Sequence, residues 1–434
     1  MRTAAVAGIG LSLPRQATAV LRNRRPSETI VTAVMGANGR GTQLASVLTQ
    51  MEGTEVAYIC DVDDNAIAKG LKQVKEMGGT RAKGERDFRR ALEDPDIDAL
   101  VIAAPDHWHA PAAILACKAG KHVYVEKPCG HNPREGELLV EAARKYNRVV
   151  QMGNQRRSWP NLMEAMQALH EGIIGRVYFA RGWYVNNRKS IGYGKPAAVP
   201  ANLDYDLWQG PAPRRPYMDN VIHYNWHWFW NWGTAETCNN GTHEIDVMRW
   251  GLDVEYPTRV ASSGGRYHWK DDWETPDTQV VSYDFEGGKS LTWEGRSCNG
   301  LPLAGMGRGV LFHGDNGSML IDGNGYIVYN YDNQVVKTVK DNEEDKSAGD
   351  TTGPGDRLDA YHLLNFAESI TGGTAPNAQI EKGHKSVLLC HLGNIAQRTG
   401  RIIHCDQRSG HIIGDPQAMA LWGRTYEPGW EPTL

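Results

Sequence analysis

Apolar and polar positions change texture once along the chain. Between residues 29 and 157, short continuous apolar runs alternate with segments of helical spacing. TIVTAVMG (29–36), EVAYICD (55–61), DIDALVIAAP (96–105), KHVYVEKP (121–128) and RVVQMGNQRR (148–157) read as strands. TQLASVLTQM, PAAILACKAG and NPREGELLVEAARKYN read as the helices between them. Strands apolar on both faces, separated by helices, predict a mainly parallel sheet. After residue 157 the period changes. WPNLMEAMQALHEG is helical, GRVYFARGWYV (175–185) alternates like a half-buried strand, and a Gly-, Pro- and Asn-rich connection runs to about residue 220. Residues 259–269, 278–297 and 309–330 read as strands punctuated by EGG, DNG and GNG turns, which predicts an antiparallel sheet of about five to eight strands. Residues 337–356 are polar and read as a solvated loop, and two helices closed by glycine follow.

This pattern divides the 434 residues into an arm (1–27), a first domain (28–156), a second domain (157–400) and a C-terminal extension (401–434). The formal net charge of -4, with no basic run, argues against a nucleic-acid partner. Seven cysteines without a repeated spacing argue against a disulfide scaffold. Residues 3–14, TAAVAGIGLSLP, followed by Ala17-Thr18-Ala19, resemble the apolar region and cleavage site of an export signal that begins upstream. The run is too short to anchor in a membrane. The expectation is a periplasmic or secreted protein if the full gene carries the signal, and otherwise a cytoplasmic one.

Chemistry enters at the first turn. Gly36-Ala37-Asn38-Gly39-Arg40-Gly41 joins a strand to a helix, and Asp61 ends the next strand twenty residues beyond Gly41. Such a turn lets backbone N–H groups and a helix N-terminus approach a pyrophosphate, while the carboxylate accepts from ribose hydroxyls and disfavours a 2′-phosphate. NAD is the expected cofactor. Asn38 stands where the fingerprint has its second glycine. Ligands of parallel sheets lie beyond the carboxyl ends of the strands, which places Asp61, Pro105, His109, Glu126, Lys127 and Asn154 along one rim. Lys127 can pass a proton there if it is desolvated; alternatively it is a surface lysine paired with Glu126.

The densest constellation is HYNWHWFWNWGTAETCNNGTHEIDVMRW (223–250). Tyr224, Trp226 and Trp228 either plug a core or stack on a sugar ring, with Arg156, Tyr184, Asn239, Asn240, His243 and Asp246 as polar partners. Asn239 or Asn240 can cap the helix that starts near Thr242, and Asp246, three residues on, can orient His243 for proton exchange. A metal site that includes His227 competes, but no compact ligand motif supports it, so no metal is expected.

AGKHVYVEKP (119–128), APDHWHAPAAILA (104–116) and GTHEIDVMRW (241–250) resemble the glucose-fructose oxidoreductase, inositol dehydrogenase and rhizopine-catabolism family, Gfo/Idh/MocA, over roughly residues 28–400. The resemblance implies a Rossmann domain followed by an α/β domain with a large open, mainly antiparallel sheet, assembled as a homodimer or homotetramer. It implies Lys127 as catalytic lysine and His243 as its assistant. Asn239 stands where the family often has aspartate, and an amide cannot take a proton. The implied activity is NAD-dependent hydride transfer at a secondary hydroxyl of a sugar, glycoside or cyclic polyol. Two alternatives stand beside it: glycoside cleavage through transient oxidation and elimination, and non-catalytic sugar or nucleotide sensing.

Overall fold

The computed structural model describes residues 29–341 and 356–434. The candidate export signal in 1–27 and most of the polar segment 337–356 lie outside the described residues.

The first sheet is parallel throughout and is built from β1 (Ile30–Met35), β2 (Thr54–Cys60), β3 (Lys83–Glu85), β4 (Ala99–Ile102), β5 (His122–Val125) and β6 (Val150–Met152), in spatial order β3-β2-β1-β4-β5-β6. Its crossovers are α1 (Arg40–Gln50), α2 (Asp64–Glu76), α3 (Phe88–Glu93), α4 (Asp106–Lys118) and α5 (Pro133–Lys145). The ends of these helices follow local chemistry. The Asp63 carboxylate accepts the Asn65 N–H at 2.8 Å to start α2, and Asn132 with Pro133 behind it starts α5. The helix α4 begins at Asp106, earlier than the sequence pattern suggests, with Pro111 inside it. One face of the sheet packs Met35, Leu100, Ile102 and Val125 against α4 and α5. The other packs Val34, Val101 and Tyr124 against Leu44 and Leu48 of α1. Depth on both faces explains the unbroken apolar runs.

The second sheet has nine strands: β7 (Val177–Val185), β8 (Arg259–Gly265), β9 (Thr278–Phe285), β10 (Lys289–Arg296), β11 (Arg308–Gly314), β12 (Gly317–Ile321), β13 (Gly325–Asn330), β14 (Val335–Lys340) and β15 (Ile403–His404), ordered β14-β13-β12-β11-β7-β10-β9-β8-β15. All pairings are antiparallel except β7 with β10. The strand count exceeds the expectation at both edges. The polar segment begins as β14, and the C-terminal extension contributes β15. On one face α6 (Pro160–His170), α9 (Gly241–Leu252) and α11 (Ile380–Thr399) cover the core around Trp293, Tyr283, Phe312 and Met248. The short helices α7 (Tyr205–Gln209) and α8 (Ala235–Asn239) flank the cleft, α10 (Asp356–Gly372) follows the undescribed segment, and α12 (Pro416–Met419) lies in the extension.

The chain returns to the first domain before the last strand of the second sheet is added. Leu363 and Phe366 of α10 pack into the α1 face of the Rossmann core. The extension also folds back on its own chain. Trp422 is buried in the second core, and Trp430 meets Trp108 edge-on at 5.3 Å. All seven cysteines are buried free thiols. No helix among the described residues is long and apolar enough to cross a membrane.

Candidate active site

A cleft of about 550 Å³ runs along the carboxyl ends of β1, β2, β4 and β5 and is closed by segment 223–243. It brings together Gly36, Asn38, Gly39, Arg40, Asp61, Pro105, His109, Glu126, Lys127, Tyr224, Trp226, Asn239, Asn240 and His243.

The Rossmann wall is shaped by backbone. Gly36 has φ +87°, and a Cβ there would stand 2.6 Å from the Ala103 carbonyl oxygen. Gly39 caps α1, and nothing lies within 4 Å of where its Cβ would be. A glycine with open space before a helix N-terminus is a cradle for a pyrophosphate. Asp61 accepts the Ala37 N–H at 2.6 Å and the Asp63 N–H at 3.0 Å, and burial pushes its carboxyl up against those two donors. Its remaining lone pairs can receive ribose hydroxyls. These residues fit NAD.

Arg40 and Glu126 reach the cleft as a brace. The Arg40 guanidinium donates to Glu126 at 2.8 Å and to both oxygens of Asp359 at 2.6 Å, across 319 residues of chain. Burial opposes its charge, but these two carboxylates hold its pKa well above the ordinary value. Burial would raise Glu126; Arg40 and Lys127 hold it below the ordinary value. His109 places its ring nitrogens 2.6 Å and 2.7 Å from the carbonyl oxygens of Pro128 and Ala104.

Lys127 points into the cleft, where Nζ donates to the Asn239 carbonyl at 2.6 Å and to Asn239 Oδ1 at 3.1 Å. It is not paired with Glu126 through its amine. Burial lowers its pKa from the ordinary lysine value, against the opposing pull of Glu126, Asp106 and Glu236. A lysine so placed holds a lone pair more readily than one in water.

The opposite wall is built from charges hidden behind the lining. Glu236, 3% exposed, accepts from Arg188 at 2.8 Å, Ser297 at 3.0 Å, Asn239 at 3.1 Å and Asn240 at 2.5 Å. Burial would raise it, and Arg188 holds it down. Glu244, at 0% exposure, is bound by Arg308 at 2.7 Å. Arg188 also donates to the Tyr224 hydroxyl at 2.7 Å. The asparagines therefore do not cap α9, which starts at Gly241 without a side-chain cap; their amides donate to Glu236 instead.

Six expected site residues do not line the cleft. Gly41 packs directly under the Gly36 carbonyl, so it sets the angle between helix and turn. Asn154 is 1% exposed, and the neighbouring Gln155 reaches the cleft and donates to Glu126 at 3.2 Å. Arg156 is buried 3.6 Å from Glu244, and burial pushes its pKa down to about 10. Tyr184 lies behind the wall and accepts from Asn186 at 2.7 Å and Arg188 at 3.3 Å. Trp228 is a core plug, stacked on Trp273 at 3.9 Å. Asp246 is held by Arg157 at 2.8 Å and Ser386 at 2.6 Å, so it does not orient His243. The His243 ring makes no hydrogen bond among the described residues. Burial, then Arg308 and Lys127, hold its pKa well below the ordinary value, which leaves it neutral.

Sequence reasoning missed Glu236, Arg188, Arg308 and Asp359, and it weighed His227 only as a metal ligand. Glu236 had a signal: it lies three and four residues before the two asparagines, on one helical face. The others had none. Among the described residues no three His, Cys, Asp or Glu side chains gather into a metal-holding group.

Residues 30–154 match the model of the oxidoreductase family's NAD-binding Rossmann fold, and residues 182–300 match its C-terminal alpha/beta domain. The chain belongs to the Gfo/Idh/MocA oxidoreductase family. A glycosyl hydrolase family 109 protein of Saccharopolyspora erythraea is 29% identical over 248 residues, 50% of this chain and 54% of that protein. Inositol 2-dehydrogenase of Salmonella typhimurium is 24% identical over 216 residues, 50% of this chain and 52% of that one. The chain thus spans about half the length of these curated relatives. Levoglucosan dehydrogenase, solved with NADH and levoglucosan, superposes with a TM-score of 0.67 at 18% identity, over 87% of this chain and 99% of that one. At that identity the likeness concerns the fold. As a member of the family, the chain carries its NAD-binding domain in residues 30–154, and the glycine cradle and Asp61 are that domain's ligand-facing elements.

Proposed function

We propose that this protein oxidises and reduces a secondary hydroxyl of a sugar, glycoside or cyclic polyol, with Lys127 as the proton-transfer residue. The observation that carries the reading is the position of Lys127 Nζ, buried between the cofactor turn and the second wall and oriented by two acceptors on Asn239. Bound NAD supplies the hydride acceptor. Lys127 takes the hydroxyl proton in oxidation and returns it in reduction. His243, neutral and without a hydrogen-bond partner among the described residues, hydrogen-bonds the substrate oxygen. Asn239 cannot receive the proton; it aims the amine. Tyr224, 47% exposed, offers an apolar ring face to the C–H side of a sugar, while Trp226 is buried and stacked on His227. Together these groups hold the reacting carbon near the cofactor and exclude water.

A second reading, net glycoside cleavage through a transiently oxidised sugar, draws support from the relative named as a glycosyl hydrolase. It would use the same Lys127 and regenerate NAD in every turnover, which suits an exported enzyme of the kind that the signal-like residues 3–19 lead us to propose. The test is to denature the purified protein, identify any released dinucleotide, and then assay sugars, polyols and aryl glycosides with mass detection. Stoichiometric NADH and a keto product support the dehydrogenase. Cleaved product with catalytic NAD supports the second reading. Full turnover in Lys127→Ala would remove Lys127 from either mechanism, and binding without turnover would point to a sensor. For assembly, we favour a homodimer or homotetramer through the large sheet, where Tyr178 and Val280 are exposed; light scattering of the purified protein tests it.

A further inference from the structure

Resting on the hydride-transfer reading and extending it, we propose that His227 contacts substrate and selects a vicinal diol: its Nε2 accepts a hydrogen bond from the hydroxyl beside the one that Lys127 deprotonates. His227 sits on the single turn Asn225–Trp228 and lines the same cleft as Lys127, Tyr224 and His243. Its Nδ1 lies 2.6 Å from the Tyr224 carbonyl oxygen. A carbonyl only accepts, so Nδ1 carries the proton and Nε2 of the neutral ring carries the lone pair. Neutrality follows from the surroundings: burial first, then the cations Lys127 and Arg188, outweigh the favourable Tyr224 carbonyl and Glu236.

The ring is held rigidly. It stacks on Trp226 with centroids 3.6 Å apart and planes at 19°, and Gly233 presses against the His227 backbone so closely that a Cβ would collide with it. No hydrogen bond to Nε2 exists among the described residues. The neighbouring acceptors are committed: Asn239 Oδ1 to Lys127, Asn240 Oδ1 to Arg308 and Glu236 to Arg188. A fixed acceptor in the same cleft as a proton-accepting lysine, within reach of that lysine's charge, suits two adjacent hydroxyls, one for each group. A substrate without the second hydroxyl leaves the partly buried Nε2 unpaired, a cost that discriminates against it.

The test compares wild type, His227→Phe and His227→Gln, each loaded with NAD, on myo-inositol, levoglucosan and methyl β-glucoside and on their monodeoxy analogues. The wild type is expected to favour the diol by about 100-fold in kcat/KM, His227→Phe to lose that preference at unchanged NAD affinity, and His227→Gln to keep part of it through its amide oxygen. A preference retained in His227→Phe overturns the proposal. A readout independent of turnover is ¹⁵N NMR of histidine-labelled protein, with the His227 signal assigned by its loss in His227→Gln. An unprotonated Nε2 that shifts when one of the three polyols is added supports the proposal. A protonated Nε2, or one that none of them moves, overturns it even where NADH forms. Absence of NADH with every sugar, despite a polyol-sensitive Nε2, would overturn the hydride-transfer reading instead.

Discussion

The two walls of the cleft are made by opposite means. On the Rossmann side, glycine dihedrals, strand ends and the carboxylates of Asp61 and Glu126, the latter braced by Arg40, create the surface, and most of its groups come from consecutive βα units between Gly36 and Lys127. On the other side, the lining asparagines and aromatics stand on two buried ion pairs, Arg188 with Glu236 and Arg308 with Glu244. The first wall is a consequence of sheet topology, which puts ligands at strand ends whatever their identity. The second is a charge network. Each buried carboxylate is tolerable only because a guanidinium and amide donors compensate its lost hydration. A cofactor shared by many enzymes suits the first design. A substrate surface that must present particular donors and acceptors suits the second.

The contrast can be broken experimentally at graded cost. The largest effect is expected for Lys127→Ala, which removes an amine that bridges the walls: turnover falls by about 10³-fold while dinucleotide affinity is retained, checked by stopped-flow NADH formation and by titration of NADH fluorescence. Glu236→Ala strikes the network wall alone. It leaves Arg188 buried without its carboxylate and should lower stability by about 3 kcal/mol in urea unfolding. Dinucleotide binding below the unfolding range should change little; a large loss there would mean the walls are not independent. Asp61→Asn strikes the topological wall alone. It keeps an acceptor for the Ala37 N–H but removes the charge, so NAD affinity should drop about tenfold and NADP should gain relative to it, measured by calorimetry.

The mildest perturbation is pH. Lys127 must be neutral to take a proton, and its pKa lies below the ordinary 10.5 because burial disfavours the cation. Oxidation therefore rises with pH through this lowered pKa and levels off above it, whereas reduction, which needs the protonated amine, falls across the same limb. Neutral His243, and His227 pushed down to about 3 by burial, should add no second limb near neutrality. A bell centred near pH 7 in the kcat/KM profile would contradict these environments.

Legibility followed the same division. The turn at Gly36, Asp61 and Lys127 could be read because a strand's apolar run marks where it ends, and its end marks the rim. His243 could be read from its helix, but the loss of its expected partner could not. Three-residue spacing put Asp246 on the same helical face, and Arg157 and Ser386 then claimed that carboxylate. Trp228 and Tyr224 looked alike in the aromatic segment. One became a plug stacked on Trp273 and the other stayed 47% exposed at the cleft, because period alone does not separate a core ring from a lining ring in so irregular a turn.

By itself the sequence determined the alternating βα order, the glycine turn with Asp61 at the end of the next strand, and the lysine at a strand end. These depend on local dihedral freedom and on hydrophobic period, both written in contiguous residues. Only the tertiary structure decided which charges neutralise one another: Asp359 with Arg40, Arg188 with Glu236, and Asn239 rather than Glu126 as the partner of the Lys127 amine. It also turned His227 from one histidine in a tryptophan-rich stretch into a cleft-lining ring held by the Tyr224 carbonyl and stacked on Trp226. Burial makes a charge or a polar atom depend on whichever group lies beside it in space, and distance along the chain does not reveal that neighbour.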